Sequence, residues 1–402
     1  MKILHIQYSM TPAGNAAYRL HLAMLRAGLD SSVMTYRPYD GRYKVSSLDR
    51  GWKVLKSKVC TKLFQAQTSF TPQSYFFSQP PLMSKGISQC KQVREADVIY
   101  LHWICGGFIG YADIEELAKT GKTLIFFMHD MWTMTGGCHH SLDCIYFKTG
   151  CHNCTMLSAH REIAAKHCLK KKQLFEKYSN IYFISPSEWL GKCARDSYVL
   201  KNKPVFVISN IVDETVFKQI PKELSRKILN LPLDKKIISF GCQAGISNPF
   251  KGWKYLQEAI NLLDEENIHL LIYGSDYDET TAKQLSYPIT FMGPVLDEYL
   301  LALINNSSDV FVSPSLAESF GLTFLENILC GTPVVGFNNT AVSEIVVTTK
   351  TGYLANNKSA EDLCKGIKYI LKTPFNPLSN YYYSTEGILE AHKRIINQSL
   401  NK

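Results

Sequence analysis

The sequence predicts an α/β protein made of two Rossmann-like halves. Three observations lead there. Short apolar runs such as Val98–Leu101, Leu124–Met128 and Ile181–Ile184 end in small or polar residues. Between many such runs, apolar residues recur at helical spacing. The alternation then restarts at Ile237–Phe240 and runs on through the second half, the pattern of a second parallel sheet with helices on its faces. With 402 residues, 46% of them hydrophobic and 20% charged, the chain can fill two or three ordinary cores. That composition excludes a disordered tail and a collagen. No run approaches the ~18–20 apolar residues that span a bilayer. Met1–Ile6 leads straight into a strand without a signal-peptide cleavage region, so a cytoplasmic protein is expected.

In chain order, residues 3–8 read as a first strand and Thr11–Asn15 as a small-residue loop. Ala16–Ala27 has helical spacing and is closed by Gly28. Ser32–Tyr36 completes a β-α-β unit. The loop after the first strand is no GxGxxG fingerprint, so a tightly bound dinucleotide is not expected there. Residues 40–92 are polar, basic and aromatic without clean periodicity and read as an insertion. Strand candidates at 98–102, 124–128, 181–184 and 205–208 follow. A loop rich in Gly, His and Cys covers 131–154. In the second half, Pro221–Leu233 reads as a connection. Strands are expected at 237–240, 269–273, 310–312 and 334–337, and helices at 253–263, 296–304, 321–329 and 386–398. Two such domains are expected to face a cleft, with ligands at the C-terminal ends of the strands.

Charge is distributed unevenly. Residues 1–205 carry 27 Lys/Arg against 14 Asp/Glu, a net +13, and residues 206–402 carry 17 against 21, a net −4. The densest basic run is Lys166–Lys172. It reads either as a solvated helix face or as a contact for anionic lipid headgroups. No nucleic-acid motif accompanies it, so nucleic acid is not expected as a partner. Twelve cysteines are too sparse for a disulfide scaffold. Four of them cluster as Cys138-x5-Cys144-x6-Cys151-x2-Cys154. The last pair has the spacing of thiolates that share a zinc ion. Free thiols packed in a loop, or a redox role, remain open, and His139, His140 or His152 could replace one ligand.

Glu318 and Glu326 stand eight residues apart around Gly321, in a loop that enters a helix. Backbone N–H groups near Gly321 and Leu322 could cradle a phosphate, and Glu326 could accept hydrogen bonds from a ribose diol. Lys251 follows a small polar loop, where it could neutralise a leaving pyrophosphate. His129-Asp130 ends a buried strand, and a histidine there could take a hydroxyl proton. Each has a plainer reading: a solvated or ion-paired helix residue, a turn glycine, a surface lysine, a loop histidine.

The whole chain resembles the retaining glycosyltransferases of family four, through Glu318-Ser-Phe-Gly-Leu-Thr-Phe-Leu-Glu326, Cys330–Val335, Gly14, Ser209–Phe217, Lys251-Gly252 and Gly352–Leu354. Its His102-Trp103 and the stretch from His129-Asp130 through Trp132 to Cys138 are similar to a bacterial exopolysaccharide or lipopolysaccharide branch. The resemblance implies the two-domain GT-B fold: residues 1–205 binding an acceptor, 206–380 binding a nucleotide sugar, and 381–402 packing back on the first domain. It implies a nucleoside diphosphate sugar donor, a glycan or lipid-linked acceptor, and no catalytic metal. Lys251 would face the diphosphate, Glu326 the ribose and Glu318 the donor sugar. Gly321 and Leu322 would bind phosphate, Gly14 and Asn15 would line the phosphate and acceptor loop, and His129 would lie beside the reacting groups. Three departures are notable. No arginine lies between Gly241 and Pro249, Ile211 follows Asn210 where a glycine is usual, and Asn15 replaces a second glycine after Gly14. The rival readings are a sugar-nucleotide epimerase or glycan phosphorylase on the same scaffold, and a non-catalytic membrane or nucleic-acid binding module.

Overall fold

A computed structural model describes residues 1–10, 15–37, 41–48, 77–81, 86–241, 248–276, 279–377 and 383–400. The chain divides into two compact units, Met1–Ile211 with Glu386–Lys402, and Val212–Thr385.

The first unit holds a seven-stranded parallel sheet. Its strands are β1 (Lys2–Gln7), β2 (Asp30–Thr35), β3 (Val45–Ser47), β4 (Val98–Leu101), β5 (Thr123–Phe127), β6 (Ile181–Ser185) and β7 (Val205–Val207). Their order is β3-β2-β1-β4-β5-β6-β7. The central strands β4, β5 and β6 are buried along their whole length. Helices cover both faces of such a sheet, so its strands are apolar runs rather than alternating ones. The helix Asn15–Arg26 buries Ala16, Ala17, Leu20, Ala23 and Met24. The edge strand β3 lies inside the segment expected to be an insertion. It is too short and too polar, Val-Ser-Ser, to carry a pattern of its own.

Strand β7 pairs with β6 from Phe183↔Val205 to Ser185↔Val207. A boundary at 205/206 would therefore cut a strand, and the first unit instead runs on to Ile211. The terminal segment rejoins that unit at Glu386, not at 381. Tyr383 and Thr385 stay with the second unit, where the Tyr383 hydroxyl accepts from Val212 N at 2.6 Å and the Thr385 hydroxyl bonds Glu214 at 2.8 Å. The last helix, Thr385–Leu400, buries Leu389, Ile395 and Ile396 in a cluster with Ile3, Leu20, Tyr100 and Phe127. Each such side chain contributes roughly 1.5–3 kcal/mol of burial. His392 adds a bond between its Nδ1 and the Tyr100 hydroxyl at 3.1 Å.

The second unit is a six-stranded parallel sheet of β8 (Lys236–Gly241), β9 (Ile268–Tyr273), β10 (Ile289–Phe291), β11 (Val310–Ser313), β12 (Val334–Phe337) and β13 (Gly352–Ala355). The order is β10-β9-β8-β11-β12-β13. Lys222–Ile228, expected as a connection, is a helix. Its apolar spacing is poor. It is held instead by the buried Arg226, which bonds Asp309 at 2.6 Å and the Ser307 carbonyl at 2.9 Å. Among the described residues no helix is long and apolar enough to cross a membrane.

Candidate functional site

In the second unit the exits of β8, β11 and β12 bring the expected residues together. After β8 the described chain resumes at Asn248, whose side chain accepts from Phe250 N at 3.1 Å and caps the short turn Pro249–Lys251. Gly252 then adopts φ 68°, and a Cβ there would stand 2.0 Å from the Pro314 carbonyl oxygen. Glycine therefore allows this turn to pass directly against the chain leaving β11. Leu316 N donates to the Phe250 carbonyl at 2.8 Å and ties the two loops. The result is an ion pair: Lys251 Nζ lies 2.8 Å from Glu318 Oε1, with side chains only 23% and 16% exposed.

The loop leaving β12 fixes Glu318 from the other side. Glu318 N donates to the Thr340 hydroxyl at 3.1 Å, and Ala341 N donates to the Glu318 carbonyl at 3.2 Å. Gly321, at φ 98°, caps the helix Leu322–Leu329. The first N–H groups of any helix have no partner within it, so this start presents donors beside Glu318. Glu326 is 4% exposed on that helix, which excludes the solvated reading. Its charge and burial both raise the Tyr273 hydroxyl, burial being the larger cause.

The first unit places His129 just beyond β5 in a row of imidazoles. His129 Nε2 bonds His102 Nδ1 at 2.8 Å, and His102 Nε2 bonds His5 Nδ1 at 2.9 Å. Burial lowers His129 to about 4 and holds His102 and His5 well below the ordinary value. All three are neutral at pH 7, so each link needs one ring nitrogen to donate and the next to accept. Asp130 turns the other way. Its Oδ1 accepts from Trp132 N at 2.7 Å, and its Oδ2 lies 2.5 Å from His139 Nδ1, whose Nε2 reaches the Ser78 hydroxyl at 2.8 Å. Burial alone would raise Asp130, but His139 and the Trp132 N–H outweigh it and hold it low. His139 is therefore committed to Asp130 and Ser78 and is not the spare metal ligand the sequence allowed.

Asn15 opens the first helix and accepts from Arg42 Nη1 and Nη2 at 3.2 Å. Arg42 stacks 4.6 Å over the Tyr18 ring. Gly14 lies outside the described residues. Lys171, in the middle of the basic run, is fully buried. Its ammonium donates to the Trp132 and Thr135 carbonyls and stands 3.7 Å over the Trp132 ring. Desolvation lowers it to about 8. Reading the whole run as a solvated or lipid-facing surface is thus corrected at this position: Lys171 pins the loop after β5. Nothing in the local sequence of Arg42, Ser78 or His5 marks them, and the sequence marks Lys171 only as one member of a basic run.

Residues 221–386 match the family model "Glycosyl transferases group 1", about two fifths of the chain. A D-inositol 3-phosphate glycosyltransferase of Mycobacteroides abscessus is 31% identical over 171 residues, 40% of this chain and 37% of that protein. The chain spans between about a quarter and a half of the length of the curated relatives it matches. Among solved structures, Anabaena Alr3699/HepE in complex with UDP and glucose superposes over 99% of both chains with a TM-score of 0.65 at 15% identity. WaaG, a glycosyltransferase involved in lipopolysaccharide biosynthesis, covers 92% of this chain and 90% of its own, with a TM-score of 0.61 at 13% identity. Two parallel sheets in this order, matched over nearly the full chain by such proteins, give the chain the GT-B fold, and its second unit carries the sequence pattern of the group 1 glycosyl transferases.

Proposed function

We propose that the protein is a retaining glycosyltransferase. It moves a sugar from a nucleoside diphosphate sugar to a hydroxyl of a lipid-linked or growing glycan, in cell-surface polysaccharide synthesis. The observation that carries this reading is the Lys251–Glu318 pair at the strand exits, with the helix start at Gly321 beside it and Glu326 buried one turn further on. Lys251 and the N–H groups of Gly321 and Leu322 stabilise the negative charge that grows on the departing diphosphate. Glu326 accepts from the ribose, and Glu318 holds both Lys251 and a donor-sugar hydroxyl. In the retaining course the acceptor hydroxyl attacks from the face the diphosphate leaves, and its proton passes to the leaving phosphate. His129, neutral at pH 7, orients that hydroxyl. No metal is needed for this charge compensation. The net +13 of residues 1–205 suits a phosphorylated lipid acceptor at the inner, anionic membrane surface.

The test is a thermal-shift screen against UDP-, GDP-, ADP- and dTDP-sugars. One donor class is expected to raise the melting temperature of the wild type, with the shift lost in Lys251→Ala and reduced in Glu318→Gln. Well-folded protein whose melting temperature no nucleotide sugar moves would sink the reading.

A further inference from the structure

The loop after β5 returns four thiols to one place. Cys138, Cys144, Cys151 and Cys154 line a single small, apolar cavity together with Phe77 and Phe147. Local backbone turns bring them there: Leu142, Cys151 and Asn153 all adopt positive φ, at 50°, 58° and 55°. Such a conformation is uncommon for residues other than glycine and asparagine.

The backbone supplies one donor to this cluster: Gly136 N–H donates to Cys151 Sγ at 3.2 Å, the kind of bond that orients a metal-bound sulfur. Cys151 and Cys154 keep the Cys-x2-Cys spacing of a pair that shares a zinc ion. The Thr135 hydroxyl donates to the Cys138 carbonyl at 2.6 Å, and the buried ammonium of Lys171 donates to the Thr135 carbonyl at 3.0 Å, so the strand of loop that carries Cys138 is fixed in place.

We propose that Cys138, Cys144, Cys151 and Cys154 bind one structural zinc ion. Four thiolates suit the tetrahedral, borderline-soft ion, and the Gly136 N–H belongs to the outer layer that orients its ligands. Binding displaces the four thiol protons to solvent as four Zn–S bonds form. Among the described residues no three thiols, imidazoles or carboxylates stand together so as to hold a metal ion, so binding requires the four sulfurs to close on the cavity they line. The ion clamps the loop that begins at Asp130, and so supports the His129 and Asp130 end of β5 from behind.

The experiment is elemental analysis of full-length protein purified in reducing buffer without chelator. About one zinc per chain is expected, released by a mercurial that titrates the thiols. Cobalt exchanged into the wild type is expected to show the thiolate charge-transfer and tetrahedral ligand-field bands, a readout that needs no variant. Cys151→Ser and Cys154→Ser are expected to lose the metal, whereas Cys364→Ser, in the second unit, keeps it. Zinc far below one per chain with four freely reactive thiols would overturn the proposal. So would disulfides among the four in protein that shows no cobalt bands.

Discussion

Lowering the pH from 7 to 5 is expected to unfold the first unit. Six imidazoles there are neutral: His5, His21, His102 and His392 are buried, and His129 and His167 are half-buried. His21, His129 and His167 are lowered to about 4 and His392 to about 3, in each case mainly by desolvation. His5 and His102 lie well below the ordinary value. In the unfolded chain each takes up a proton as the pH falls through about 6.5, while the folded chain refuses it until about 4. The unfolded state binds more protons throughout that window. The stability these groups contribute is therefore complete above about pH 6.5 and is lost between there and pH 4. At pH 5 each imidazole has cost about 2 kcal/mol, from ~1.4 kcal/mol per pH unit. The four groups with stated values together cost roughly 8 kcal/mol, comparable with the ~5–15 kcal/mol that holds a domain folded. Asp130 does not offset this, because its contribution is lost only below the ordinary carboxylate range. Urea melts at pH 7, 6 and 5, followed by tryptophan fluorescence, measure the effect. Four of the five tryptophans lie within residues 1–211, so the signal reports mainly that unit. A urea midpoint that stays constant from pH 7 to 5 would refute the reasoning. Imidazole resonances that titrate near 6.5 in the folded protein would do the same.

Two further outcomes are expected. Gly252→Ala forces a side chain into a left-handed turn against the Pro314 carbonyl. It should cost about 1–3 kcal/mol of stability and abolish the donor-induced thermal shift by displacing Lys251; a variant that melts and binds donor like the wild type would show that the turn has room to spare. Vesicles rich in anionic lipid should pellet the protein at low salt and release it as salt rises, since exposed charge is screened; association unchanged at high salt would remove electrostatic docking of the basic half.

Much of the candidate site was legible before folding. Glu318 and Glu326 flank a glycine at a strand-to-helix junction, and the spacing alone puts both beside one helix start. The plainer alternatives were separable only by burial: Glu326 looks the same in sequence whether it faces water or, as here, the interior. Lys171 shows the same limit more sharply. It sits between the exposed Lys170 and the half-buried Lys172 on the same helix, and the triplet reads as one charged face. A single helical position turns the middle residue inward by about 100°, and only the loop lying over it, with two carbonyls and an indole ring, makes that burial tolerable.

Local pattern determined the two α/β halves, the order of their main strands and the amphipathic last helix, because side-chain periodicity is a property of neighbours in the chain. Tertiary structure decided the pairings. Lys251 meets Glu318 across 67 residues, His5 meets His102 across 97, and Ser78 meets His139 across 61. No local signal encodes such distances. They follow from which strands lie side by side in a parallel sheet, where every crossover returns the chain to the same end and collects at that end residues that the sequence keeps far apart.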